Sequence, residues 1–228
     1  MQFVFAALGT AAVQRGPLWW AAHHRHHHAY VDAPQDVHSP GQHGFWWSHL
    51  GWFLSQQHAA PDYRRVQDFS RFAELRWIER YALLVPVLMA MALYGFGSYL
   101  QRVAPALGTS GPQMLIWGFF LSTVVLYHLT YAINSVCHCY GTRRFATADD
   151  SRNHAFFGLL ALGEGWHNNH HHYPSAVRQG FWWWEIGITF YLLTCLSWLR
   201  LIWDLKPVPQ QALQRNVIAQ STRVATGE

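Results

Sequence analysis

Two apolar stretches joined by a short turn constrain the fold of this chain more than any other feature. Ala82–Val103 is roughly 22 residues long, about 33 Å as a helix at 1.5 Å per residue and enough to cross the hydrocarbon of a bilayer. Pro86, Gly95 and Gly97 lie within it and are tolerable if neighbouring helices satisfy the freed backbone groups. A Pro/Gly turn at 104–112 follows, then a second apolar stretch, Met114–Ile133. Arginines gather in Arg64–Arg80 and Arg143–Arg152, whereas the turn has one nearby, Arg102. The positive-inside rule puts the turn outside and both flanks in the cytoplasm. Residues 61–80 read as an amphipathic approach to the membrane, and 1–13 as a buried or interfacial helix too short to span. Phe181–Trp203 is long enough to span, but Glu185, Arg200 and the crowded Trp182–Trp184 favour an interfacial or capping helix. The expected class is all-α: an integral membrane helical hairpin carrying a cytoplasmic, helical, histidine-rich cap over residues 1–206. Residues 207–228 are expected to form a polar, disordered tail.

Composition agrees with a membrane protein that handles metal. Thirteen Trp suit a protein meeting the membrane–water interface, and charged residues, at 12%, are about half the usual share. The mean hydropathy near zero reflects His, Arg and Gln offsetting the apolar stretches. Histidine, at 16, outnumbers Asp and Glu together, at 12. The formal charge is +4, yet Lys206 is the only lysine and the arginines sit beside apolar segments. That pattern fits a basic membrane face and argues against nucleic acid. Cys137, Cys139 and Cys195 form an odd, sparse set with no disulfide framework, as on a reducing cytoplasmic side.

The histidines fall into motifs. His23–His28 and His167–His172 both contain H-x-x-H-H, and positions i, i+3 and i+4 of a helix share a face, so three imidazoles can converge. In the first cluster His23/His26/His27 and His24/His27/His28 fit equally well. Carboxylate di-iron bundles use Glu and Glu-x-x-His, whereas five Glu in no such pattern imply an all-imidazole site. One tetrahedral zinc needs three or four ligands, fewer than two triads supply. Asn134-Ser135-Val136-Cys137-His138, at the cytoplasmic end of the second stretch, adds a further histidine on the face where both clusters are expected.

With these motifs in place the chain resembles the membrane fatty acyl desaturases, specifically the acyl-CoA Δ9, stearoyl-CoA desaturase-like branch. The matches are Trp20-Ala21-x-x-His24-Arg25-x-His27-His28, Gly44-Phe45-Trp46-Trp47-Ser48-His49-Leu50-Gly51-Trp52, Asn134-Ser135-x-x-His138-x-x-Gly141 and Gly163-Glu164-Gly165-Trp166-His167-Asn168-x-His170-His171-x-x-Pro174. The resemblance covers roughly residues 14–200 and sets the frame of the first cluster, leaving His23, His26 and His172 as extras. It implies that His24, His27, His28, His138, His167, His170 and His171 are seven of nine histidine ligands of two iron ions, with Asn134 holding a metal through water. It further implies that Gln14, Trp20 and Thr130 hold the bend of the acyl chain. The family's additional H-x-x-x-x-H box lies upstream of the first cluster, and none precedes His23 in this sequence; family spacing places it before Met1, so a chain truncated at its N-terminus is expected.

The implied reaction removes two hydrogens from an unactivated methylene pair, with O2 reduced at iron and imidazoles tuning the metals. Asp36, Glu164 and Asn153 are candidates to orient the ligands. No flavin, haem or iron–sulfur motif is present, so electrons would come from a separate carrier of the ferredoxin, rubredoxin or cytochrome b5 type. Arg143, Arg144 and Arg152 either dock that carrier or a CoA phosphate, or serve as topology charge. The substrate would be a fatty acyl-CoA or acyl-lipid. A related di-iron hydroxylase and a non-catalytic membrane metal-binding fragment are the competing readings. A metal transporter would need imidazoles within the spans, where only His128 lies well inside.

Overall fold

The computed structural model describes residues 1–218; the end of the expected tail, 219–228, lies outside them. The described chain is helical, with three isolated antiparallel bridges and no longer strand. Its principal helices are α1 (Gln2–Thr10), α2 (Pro17–Tyr30), α3 (Ala73–Arg80), α4 (Leu84–Val103), α5 (Gly111–Cys139), α6 (Ala155–Leu160), α7 (His167–His172), α8 (Ile188–Trp198) and α9 (Gln210–Gln214). Contacts divide the chain into two units, Met1–Ser135 and Val136–Glu228.

In the first unit, α4 and α5 are, among the described residues, the two helices long and apolar enough to cross a membrane, at 20 and 29 residues. They pack through glycine. A Cβ on Gly97 would collide with the Ser110 carbonyl and the Met114 side chain, and one on Gly111 with Ser98 and Tyr94. Small residues let helix backbones approach in lipid, where apolar surface gives no drive to associate. α5 is longer at both ends than the apolar stretch Met114–Ile133, and passes through a π-helical turn at Ile116–Leu121. Its polar C-terminal turns, from Asn134 onward, stay helical. Elsewhere in this unit α2 packs on α3 around Leu18, Ala22, Val66 and Leu75, and Trp19, Trp52, Phe53 and Tyr131 form a second core.

The second unit centres on Phe145, Ala176 and Phe181. Here the third apolar run is not one helix. Only α8 is helical, 11 residues or about 16 Å long, half of a bilayer core. Phe181–Gly187 is irregular because Glu185, 1% exposed, accepts from the Phe181 and Trp182 amides and pairs with Arg144 at 2.7 Å. Where the sequence suggests disorder from residue 207, the chain instead forms α9 and a bridge from Val217 to Phe145. Polar composition hides this order because the contacts that hold it come from elsewhere in the unit.

Candidate metal centre

α2 is built to present its histidines. Pro17 occupies the first turn, where its missing N–H costs nothing, and Glu79 of α3 caps the helix by accepting from the Leu18 and Trp19 amides at 2.8 and 3.2 Å. Arg25, which interrupts the histidine run, makes a bidentate pair with Asp68 at 2.7 and 2.8 Å. On one face the Nε2 atoms of His24 and His28 lie 3.1 Å apart. His27 is buried, and its Nδ1 donates to Asp36 Oδ2 at 2.9 Å. Asp36, fully buried, also accepts from the Asp32 and His38 amides. Burial alone would push the Asp36 carboxyl up, but His27 and His38 together hold it well below the usual carboxylate range. His23 and His26 turn to the backbone carbonyls of Trp19 and Gln35.

The Ser48–His49 pair of the aromatic motif grips α5 beside Asn134. Ser48 Oγ donates to the Asn134 carbonyl at 3.1 Å. Ser135 Oγ donates to the Tyr131 carbonyl and so accepts from His49 Nδ1, at 2.9 Å. His49 Nε2 is then left to accept from His128 Nδ1 at 3.0 Å. Burial, with the His128 ring beside it, lowers the pKa of His49. The Asn134 side-chain nitrogen is buried with no hydrogen-bond partner among the described residues. A buried amide of this kind calls for a partner that the described residues do not supply, such as water.

Of the three expected acyl-chain residues, two meet: Gln14 Nε2 donates to Thr130 Oγ1 at 3.2 Å. Trp20 packs edge-on against Trp19 and Trp52.

In the second unit, His138 closes α5 and Gly141 turns the chain away. Gly141 has φ +126°, and a Cβ there would overlap the Asn153 carbonyl, so only glycine fits. His138 Nε2 lies 3.0 Å from His167 Nε2, and one ring nitrogen from each of His138, His167 and His171 falls within 4.8 Å of the others. The His170 ring stacks 5.8 Å from that of His167. His171 Nδ1 donates to Asp149 Oδ2 at 3.1 Å. Asp149 is fixed in turn by Thr147 and Ser151, and although burial would raise its carboxyl, His171 and Ser151 hold it far below the usual range. The two asparagines inside the box anchor α7. Asn168 accepts from the Arg144 and Phe145 amides. Asn169 exchanges hydrogen bonds with Asn153 and donates to Glu185. His172 faces away, stacked on Phe145 at 3.9 Å.

These donor sets suit a metal with imidazole ligands. At a metal–nitrogen distance of about 2.0–2.1 Å, two ligands roughly at right angles sit about 3 Å apart, the spacing found for His24/His28 and His138/His167. Each of the two carboxylate–histidine pairs fixes the proton on Nδ1 and makes Nε2 the nitrogen that carries the lone pair, as a metal ligand requires.

The sequence profile of fatty acid desaturases matches residues 1–193. This chain belongs to the fatty acid desaturase family. It is 34% identical to the acyl-CoA C20 Delta5-desaturase of Anemone leveillei over 220 residues, 95% of this chain and 66% of the relative. It is 35% identical to the icosanoyl-CoA 5-desaturase of Limnanthes douglasii, across 97% of this chain and 59% of the relative. With Delta-9 acyl-lipid desaturase 1 of Arabidopsis thaliana it shares 34% identity, across 95% and 67%. The chain thus spans about three fifths to two thirds of the length of the first relatives it matches.

Some residues of this chain escape a sequence reading. Asp149 and His38 carry no motif; Asp149 could have been suspected only as a carboxylate in the Arg143–Arg152 segment. Among the candidates to orient ligands, Asp36 reaches His27, Asn153 holds Asn169, and Glu164 lines a separate cavity with Val177, Gln179 and Phe190. Arg143 and Arg144 are tied internally, Arg143 to the Thr147 and Asp149 carbonyls and Arg144 to Glu185, with its guanidinium 3.8 Å over Trp182.

Proposed function

We propose that this desaturase inserts a cis double bond into a saturated fatty acyl chain, using O2, with acyl-CoA as carrier and Δ9 as position. In this reading His24, His27, His28, His138, His167, His170 and His171 are ligands of two iron ions, and Asn134 holds a metal through water. When bound, the irons supply the oxidising power, drawn from O2 and two electrons, that removal of hydrogens from unactivated carbon needs. The chain's own residues do the rest. Asp36 and Asp149 keep His27 and His171 in the tautomer that offers Nε2, while Ser48 and His49 pin the helix turn that carries Asn134. Gln14, Trp20 and Thr130 line the path of the acyl chain, holding one C–C bond in place. Electrons come from a separate ferredoxin, rubredoxin or cytochrome b5 type carrier, and the membrane is crossed more than once with the metals on the cytoplasmic face.

The observation that carries this reading is the cluster of His138, His167 and His171 nitrogens within 4.8 Å, in a member of a family whose relatives are named desaturases of acyl-CoA and acyl-lipid. The test is product analysis. The chain, loaded with iron in phospholipid nanodiscs, is supplied with ferredoxin or cytochrome b5, their reductases and NAD(P)H, and given stearoyl-CoA or stearoyl-phosphatidylcholine. Mass spectrometry should show loss of two hydrogens, and ozonolysis should place the bond at Δ9. Gain of one oxygen would instead identify a hydroxylase. A bond at Δ5, or product only from the phospholipid, would overturn the position or the carrier. No bound iron pair and no product would leave a non-catalytic metal-binding protein.

A further inference from the structure

An 11-residue helix with one face apolar and uncovered is unusual in the water-exposed part of a protein, and α8 is such a helix. Ile188, Tyr191, Leu192, Cys195, Trp198 and Leu199 follow i, i+3, i+4, i+7 spacing, and all six are exposed, whereas Phe190, Leu193 and Leu196, on the other side, are partly covered. The exposed face is bordered by Trp183 at 78%, Trp198 at 77% and Trp203 at 74% exposure. It continues onto α6. The Thr189 amide donates to the Leu162 carbonyl at 2.9 Å, tying the start of α8 to the end of α6, and Trp166 Nε1 donates to the Ile186 carbonyl at 2.8 Å. The exposed Phe156, Leu159, Leu160 and Leu162 therefore extend the same apolar patch.

We propose that this patch is a lipid-docking face: α8 lies in the headgroup layer of a bilayer, half-inserted, without crossing it. Three features select lipid as the occupant. The helix is too short to span. Exposed tryptophans with a nearby arginine and lysine, Arg200 and Lys206, are the composition of the membrane–water interface, where indole rings and snorkelling cations settle. And α5, which is long and apolar enough to cross a membrane, runs on into this unit through its last four residues, Val136–Cys139, so the unit is tethered at a bilayer surface. None of these features depends on the metal reading.

Cys195 is a built-in reporter, exposed on the docking face. Cys137 is buried, so a Cys139→Ser chain can be labelled at Cys195 with an environment-sensitive fluorophore and reconstituted in vesicles of phosphatidylcholine and phosphatidylglycerol. A second chain carrying Val125→Cys, on the exposed face of α5, with Cys139 and Cys195 replaced by serine, gives the deep reference. The Cys195 probe should be quenched severalfold more by lipids bearing a nitroxide near the glycerol than by those bearing it at the chain end, with the Val125→Cys order reversed. Leu192→Glu, an exposed position, should move the Cys195 probe toward quenching by aqueous iodide. Strong iodide quenching without that substitution would mean a water-facing helix. Chain-end quenching equal to the reference would mean a span. Insensitivity to every quencher would mean a face covered by protein. Each of these three results overturns the proposal.

Discussion

An imidazole can give one nitrogen to a metal only when it is neutral, and it gives the correct one reliably when the other nitrogen's proton is held. Asp36 and Asp149 hold that proton on His27 and His171, each from a loop outside the histidine helices. Replacing either carboxylate with asparagine keeps an acceptor oxygen and removes the charge. Asp36→Asn and Asp149→Asn should therefore fold with unchanged helical circular dichroism and bind iron about 10–100-fold more weakly. Iron titration checks this, and wild-type affinity in both would show that the carboxylates only fill space. The histidine clusters themselves could be read in the sequence because H-x-x-H-H places three rings on one helical face. Asp149 could not, since it is 22 residues from His171 and no periodicity links a loop carboxylate to a helix. Asn168 and Asn169 were equally opaque: their role is to bond the loops around α7, which only tertiary structure supplies.

At the scale of elements, hydropathy located α4 and α5 because roughly 20 apolar residues in a row have few alternatives to a span. It missed the ends of α5 because polar residues lower hydropathy without ending a helix, as Asn134–His138 do. It overextended the third run because the composition of Phe181–Gly187 does not reveal that Glu185 gathers the local amides and Arg144. The α4–α5 hairpin depends on Gly97 lying against Ser110 and Met114. Gly97→Leu should separate the helices and lower the thermal midpoint of the detergent-purified chain, while a leucine at Gly95, which faces open space, should not. Equal midpoints for the two variants would exclude close packing as the reason for glycine. Glu79 makes a second prediction, for α2. Burial raises its pKa, against the pull of the Trp19 and Leu18 amides. The folded chain thus keeps this proton to higher pH than the unfolded chain. Its contribution to stability is largest below the unfolded value, about 4.3, and declines as pH rises through the folded one. Denaturant unfolding should show wild type losing stability relative to Glu79→Gln as pH is raised from that unfolded value toward neutrality. A gap independent of pH would mean that the carboxyl titrates normally.

For the whole molecule, the abundance of neutral imidazoles makes metal a structural as well as a chemical matter. Sixteen histidines on a chain of formal charge +4 gain positive charge on acidification, and a metal that binds only the folded chain stabilises it by mass action, by about 2.7 kcal/mol at a free concentration 100 times Kd. For a chain of this size that corresponds to a thermal midpoint shift of roughly 5–10 °C. Stripping iron with a chelator should lower the midpoint by that amount, and adding iron(II) should restore it, because binding energy for a site absent from the unfolded chain is folding energy. Hydrogen exchange then asks which parts of the chain the metal reaches. If the ligands come from all the motifs, iron should slow exchange together at three segments distant in sequence, residues 24–28, 134–138 and 167–171, while the middle of α4, far from these segments in sequence, does not change. A single tetrahedral zinc-type site would need only three or four ligands and would protect one or two of these segments. Protection confined to α7 would therefore remove the di-iron reading while leaving the family assignment, which rests on the match across residues 1–193, intact.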